Sequence, residues 1–199
     1  RTSPFFVAEQ GSPLKATDIT LQYPSFIKPS HRGGGLGIDS KSIVHNFDQL
    51  AAKVNSVASE LQSDSIIEEY LTGREFSVAI LRNENTDTFE TMSLELIAPA
   101  DEDGVRILSS VVKELNAERF TGVTDTTIQS DITNLALGVF HALGARDYGR
   151  IDIRLDSNGD AHFLEANLLP SLMEGYGSFP KACWLNNQID YESMLLTIV

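Results

Sequence analysis

Apolar residues recur at Phe47, Leu50, Val54, Val57 and Leu61, the spacing of one helix face. Asn46 stands just before the run and predicts its N-cap. A second such face runs through Ile128, Ile132, Leu135, Val139 and Leu143, with Asp125 as its cap and Gly144 as its stop. Shorter apolar runs predict strands at 25–29, 66–71, 75–81 and 89–97, the middle two separated by a Thr72-Gly73 turn. Residues 1–24, broken by Pro4, Pro13 and Pro24, read as an irregular lead-in, and 99–124 as a long loop without a period. Asn158-Gly159 is a strong turn signal between strands 150–155 and 160–166. Short helices are expected near 180–185 and 191–198. The mixture is α+β, and the polar stretch 83–87 suggests two lobes, 1–82 and 83–199.

The Asn158-Gly159 turn fixes a register. A two- or four-residue loop centred there sets Asp152 opposite Glu165 and Arg150 opposite Asn167, so all four share one face. Ile151, Ile153, Leu164 and Ala166 then share the other, a core face. A three- or five-residue loop breaks this register and splits the carboxylates. Two carboxylates about 5 Å apart repel by roughly 3 kcal/mol at an effective dielectric of ~20. Either Arg150 and Arg154 offset that in a surface network, or a hard cation does. Asp, Glu and Asn supply the oxygen donors Mg²⁺ takes alongside substrate phosphates. With no His or Cys among them, zinc is disfavoured.

Gly33, Gly34, Gly35 and Gly37 form a glycine-rich loop after Lys28. Such a loop is either a mobile surface turn or a cradle that lets backbone N–H groups approach a phosphate. Lys28 at the end of a strand adds a cation suited to a polyphosphate. No Walker motif or dinucleotide fingerprint is present. Glu68, Glu69 and Glu75 read, on composition, as a solvated strand edge. The four histidines have no ligand spacing, and Cys183 reads as a buried thiol rather than a nucleophile.

With Lys and Arg at 15 and Asp and Glu at 28, the 199-residue chain carries −13, which disfavours nucleic acid and anionic membranes as partners. No apolar run reaches membrane-spanning length. One cysteine allows no internal disulfide and fits a reducing, cytoplasmic setting. Because the chain begins at Arg1, the natural N-terminus is expected to lie upstream.

Five segments in order, Phe26-Ile-Lys-Pro29, the loop at 31–38, Ile67-Glu-Glu-Tyr-Leu-Thr-Gly-Arg-Glu-Phe-Ser-Val78, Tyr148-Gly-Arg-Ile-Asp-Ile153 and Phe163-Leu-Glu-Ala-Asn167, resemble the ATP-grasp family. The resemblance is to D-alanine–D-alanine ligase and related amino-acid ligases. It implies two α+β lobes with ATP between them, and an amide bond made from two amino acids through an acyl phosphate. It further implies that Lys28 contacts ATP, residues 33–37 close over the triphosphate, and Glu68 with the backbone of Glu69 and Leu71 meets adenine. Glu75 would bind the ribose hydroxyls. Asp152, Glu165 and Asn167 would hold two Mg²⁺ ions, with Mn²⁺ able to replace them. Arg150 would stabilise the acyl phosphate and tetrahedral intermediate, Lys113 would cover the γ-phosphate, and the Ser171 N–H would serve an oxyanion hole.

The chain departs from the family where no Tyr follows Lys113, where Ser171 stands for a frequent Gly, and at Met173-Glu-Gly-Tyr-Gly-Ser178. The family's N-terminal domain is expected to be missing, and a homodimer is compatible with the family. The rival readings are an ATP-grasp ligase for other amino acids or peptides, and a non-catalytic nucleotide-binding module.

Overall fold

The computed structural model describes residues 1–83, 86–100 and 104–198. They form two units. The N-terminal unit comprises Ser3–Tyr70 and Ala98–Glu118, and the C-terminal unit Arg1–Thr2, Leu71–Ile97 and Arg119–Val199.

In the N-terminal unit, strands β1 (Phe5–Ala8), β2 (Ser25–Pro29), β3 (Ile43–Val44) and β4 (Ser65–Glu69) form an antiparallel sheet in the order β1-β4-β2-β3. Helix α1 (Phe47–Leu61) packs Leu50 and Val54 against Ile27, Ile67 and Ala8 on one face. The Asn46 side chain caps it, accepting from the Gln49 N–H at 3.0 Å. Alternation leaves Phe5, Val7, Phe26, Lys28, Ile66 and Glu68 on the other face. A short helix, α2 (Ser110–Glu114), completes the unit.

The C-terminal unit is built on β5 (Glu75–Asn83), β6 (Thr88–Ile97), β7 (Arg119–Gly122), β8 (Tyr148–Leu155) and β9 (Ala161–Asn167), antiparallel in the order β7-β6-β5-β8-β9. Helix α3 (Thr126–Ala142) buries Ile132, Ala136 and Phe140 against Phe76, Val78, Ile80, Ile151 and Ile153. Asp125 caps it, accepting from Thr127 and Ile128 N–H groups at 2.9 and 3.1 Å. On the opposite face α4 (Ser178–Asn187) and α5 (Tyr191–Ile198) cover Ala79, Leu81, Met92 and Leu94. They leave the rest of that face, toward β8 and β9, to polar side chains. Among the described residues no helix is long and apolar enough to cross a membrane.

Several sequence expectations change. The lead-in contains β1, and the long loop contains α2 and β7. Strands β4 and β5 do not pair around Thr72-Gly73; they belong to different sheets and each is internal, so Glu68, Glu69 and Glu75 do not lie on an edge. A boundary at 82/83 would cut β5 before its last residue and part it from β6, with which it pairs from Glu75↔Leu96 to Asn83↔Thr88. The turn between them includes residues 84 and 85, outside the described ones. The division instead falls at Tyr70/Leu71, and the chain returns to the N-terminal unit for 98–118.

Candidate active site

Strand β8 lies between β5 and β9, so its polar face receives side chains from both neighbours. Ser77 is opposite Asp152 and Glu75 opposite Arg154 on one side. On the other, Asp152 pairs with Glu165 and Arg150 with Asn167. The expected carboxylate register is therefore present, although the loop is of the kind expected to break it. Leu155↔Ala161, Arg154↔His162 and Ile153↔Phe163 are out of step with Asp152↔Glu165 by one residue. A β-bulge between Asp152 and Ile153 absorbs the difference. Two irregularities cancel, and Phe163 rather than Leu164 joins the core beside Ala166.

Asp152 is saturated with donors. Arg150 forks it, Nε to Oδ1 at 2.8 Å and Nη2 to Oδ2 at 2.7 Å. Ser77 Oγ donates to Oδ1 at 2.7 Å, and Asn167 Nδ2 to Oδ2 at 3.2 Å. Asn167 Nδ2 also donates to Glu165 Oε1 at 3.2 Å. The Arg150 and Asp152 side chains are 15% and 12% exposed, whereas Glu165 is 53% exposed. Burial opposes ionisation of Asp152, but the Arg150 charge and the hydrogen bonds from Arg150 and Ser77 outweigh it and hold the carboxyl below its ordinary range. Burial likewise pulls against the Arg150 charge, and Asp152 with Glu165 and Glu75 raises its pKa overall.

Further along the same face, Arg154 Nη1 reaches Glu75 Oε2 at 3.2 Å, and its Nε donates to the Gly73 carbonyl at 3.2 Å. Arg74 forks Glu95 at 2.8 and 2.6 Å. Ser171, after β9, is exposed, and its Oγ accepts from the Met173 N–H at 3.4 Å.

In the N-terminal unit Lys28 Nζ pairs with Glu68 at 2.8 Å on the face away from α1. Glu69 points the other way. Its N–H donates to the Pro4 carbonyl, its carbonyl accepts from Ser3 Oγ at 2.7 Å, and its carboxylate accepts from the Gln22 N–H at 3.1 Å. Leu71 is buried and begins the other unit. The loop glycines divide into two kinds. A Cβ on Gly33 or Gly34 would meet nothing within 4 Å. One on Gly35 would come within 2.9 Å of the Ser110 N, and one on Gly37 within 2.8 Å of Pro29 Cγ. Gly35 and Gly37 are thus packing glycines. Ser110 opens α2, which carries half-buried Lys113. Lys53, on α1, is buried and holds Asp39 at 2.9 Å, while Arg32 donates to the Leu61 carbonyl at 2.7 Å. These contacts tie both ends of the loop to α1.

Among the described residues no group of three or more His, Cys, Asp and Glu is arranged to hold a metal. Asp152, Glu165 and the Asn167 amide make a smaller, all-oxygen set once that amide turns over to present Oδ1 in place of Nδ2.

The family model for the D-ala D-ala ligase C-terminus matches residues 6–199. The chain belongs to that family. An uncharacterised protein of Sinorhizobium fredii is 30% identical over 175 residues, 86% of this chain and 49% of its own length. The D-alanine–D-alanine ligase of Hydrogenovibrio crunogenus is 28% identical over 173 residues, 87% of this chain and 52% of its own. This member of the D-ala D-ala ligase C-terminus family thus spans about half the length of these relatives. The structure of D-alanine–D-alanine ligase from Bacillus anthracis complexed with ATP aligns at TM-score 0.75 and 20% identity, over 99% of this chain and 58% of that one. VanG D-Ala:D-Ser ligase from Enterococcus faecalis aligns at TM-score 0.75 and 20% identity, over 99% and 55%. At that identity the likeness establishes the fold, which is ATP-grasp.

Proposed function

We propose that the protein is an ATP-dependent ligase that joins two amino acids through an acyl phosphate. The observation that carries this reading is the polar strip on β5, β8 and β9, where Arg150, Asp152, Glu165 and Asn167 converge in a half-buried cluster. Asp152, Glu165 and Asn167 would hold two Mg²⁺ ions. Two carboxylates and an amide leave coordination positions for phosphate oxygens and water, as Mg²⁺ sites with nucleotides do. Bound there, the ions would neutralise charge on the phosphates during transfer.

A substrate carboxylate attacks the γ-phosphorus and ADP leaves. The amine of the second amino acid then attacks the acyl carbonyl, and phosphate departs with the amide formed. Arg150 turns from Asp152 to the oxyanion of that step, joined by the Ser171 N–H. Lys28 and Lys113 contribute cations to the phosphates, and Gly33 and Gly34 leave room for close approach. Gly35 and Gly37 shape the loop instead. Glu68 meets the base and Glu75 the ribose. The engaged backbone of Glu69 makes it a weaker adenine contact than the resemblance implies.

The test is ADP release by the complete protein across a panel of D- and L-amino acids, with Asp152→Asn as control. Release that needs two amino acids and falls by about 10²-fold or more in the variant supports the ligase. ATP binding without turnover on any pair would refute it and favour a nucleotide-binding module.

A further inference from the structure

We propose that Arg154 is a positioning residue that aims the Glu75 carboxylate at the ribose hydroxyls of bound ATP; this rests on the ligase reading above. The two residues are direct cross-strand partners on β5 and β8. Arg154 bridges Glu75 Oε2 and the Gly73 carbonyl, both at 3.2 Å, with the two side chains 15% and 17% exposed. The anchor end is rigid. The Gly73 N–H donates to the Leu155 carbonyl at 3.0 Å and the Leu155 N–H to the Arg74 carbonyl at 2.9 Å. Gly73 itself sits so close that a Cβ would lie 2.6 Å from the Leu155 oxygen. The guanidinium therefore spans a fixed backbone point and the Glu75 carboxylate, and so restricts the rotamers that carboxylate takes.

An ionised carboxylate only accepts, so Glu75 would meet a vicinal diol as the acceptor of its O–H groups. The position along the strand fits as well. Arg154 lies two residues from Asp152 on one face, about 7 Å, so the sugar end of a nucleotide and its phosphates would lie in line along β8. Both side chains are largely buried, so removing Arg154 leaves a carboxylate without its counter-charge and should also lower stability. What marks a positioning role is a change in the ratio of affinities for two nucleotides that differ only in the ribose hydroxyls, which a loss of stability alone does not produce.

The experiment compares ATP with 2′,3′-dideoxy-ATP, both with Mg²⁺, by calorimetry on the complete protein. Wild type should prefer ATP by about tenfold or more, the worth of hydrogen bonds to a charged acceptor. Arg154→Met should reduce that preference to about twofold while leaving dideoxy-ATP affinity nearly unchanged, measured at a temperature where the variant is folded. Arg154→Lys, which keeps the charge but not the fork, should fall between and guards against a misfolded methionine variant. If Glu75→Gln abolishes the preference but Arg154→Met retains it, the inference is overturned and the ribose role of Glu75 stands. Equal weakening of both nucleotides in Arg154→Met would also overturn it. A wild type that binds neither nucleotide, or does not discriminate, removes the underlying reading and this inference with it.

Discussion

Replacing Gly37 by alanine separates the two jobs that glycines do in the loop between β2 and α1. Gly37 has φ +78°, and an added Cβ would lie 2.5 Å from Leu61 Cδ1, 2.8 Å from Pro29 Cγ and 3.3 Å from Pro29 Cδ. The leucine methyl can swing aside, but the proline ring is fixed in β2. A left-handed backbone costs alanine about 1–2 kcal/mol relative to glycine, and overpacking adds roughly 1–3 kcal/mol, so the variant should lose about 2–5 kcal/mol. Against typical stabilities of about 5–15 kcal/mol, that is a large fraction. Hydrogen exchange resolved by peptide is the suitable assay, because it reports each unit separately. The most protected amides of Ser25–Pro29 and Phe47–Leu61 should exchange about 30- to 4,000-fold faster, at tenfold per 1.4 kcal/mol. Gly33→Ala, whose Cβ meets nothing within 4 Å, is the control and should leave protection unchanged. Unchanged protection in Gly37→Ala, or equal loss in Gly33→Ala, would refute the division of the loop into packing and open glycines.

Arg150→Ala removes the fork from a buried carboxylate, so it should destabilise the metal-free protein by about 3 kcal/mol. Millimolar Mg²⁺ should recover more Tm in the variant than in wild type. In the complete enzyme the same change should lower kcat by about 10²-fold with ATP affinity nearly intact, read by steady-state kinetics and calorimetry. Burial pushes the Cys183 thiol up to about 12. A raised pKa means thiol rather than thiolate below that pH, so iodoacetamide at pH 8 should leave native protein unmodified and alkylate it only in denaturant, by intact mass. Asp125→Ala should cost about 1 kcal/mol through loss of the α3 cap, measured by chemical denaturation.

The long helices were legible because local chemistry decides them. Asn46 and Asp125 cap α1 and α3, and the apolar spacing supplies their buried faces. Strand β1 was not, since four residues between prolines carry no period and become a strand only by pairing with β4. The division between units also escaped, because β4 and β5 are adjacent in sequence yet pair with strands far from each other. The placing of Asp152, Glu165 and Asn167 on one sheet face followed from the turn, though two offsets had to cancel. Ser77 was missed, and Arg154 was read only as a charge in a surface network, because their contacts need β5 beside β8, a long-range pairing that no local pattern announces. No local pattern singles out Lys53. Only the fold buries it against Asp39.

The chain passes from one unit to the other at residues 2–3, 70–71, 97–98 and 118–119. During synthesis neither unit can therefore finish before the other has begun. The N-terminal sheet has all its strands once Glu69 has emerged, yet its unit lacks α2 until the ribosome has also delivered the first hairpin of the other, β5 and β6. That hairpin must then wait for β8, some fifty residues later, with the inner edge of β5 unpaired. Nascent chains stalled between residues 98 and 147 should be the most prone to aggregate, and a gene cut at any single point yields no fragment containing the C-terminal unit whole, because that unit takes in both Arg1 and Val199.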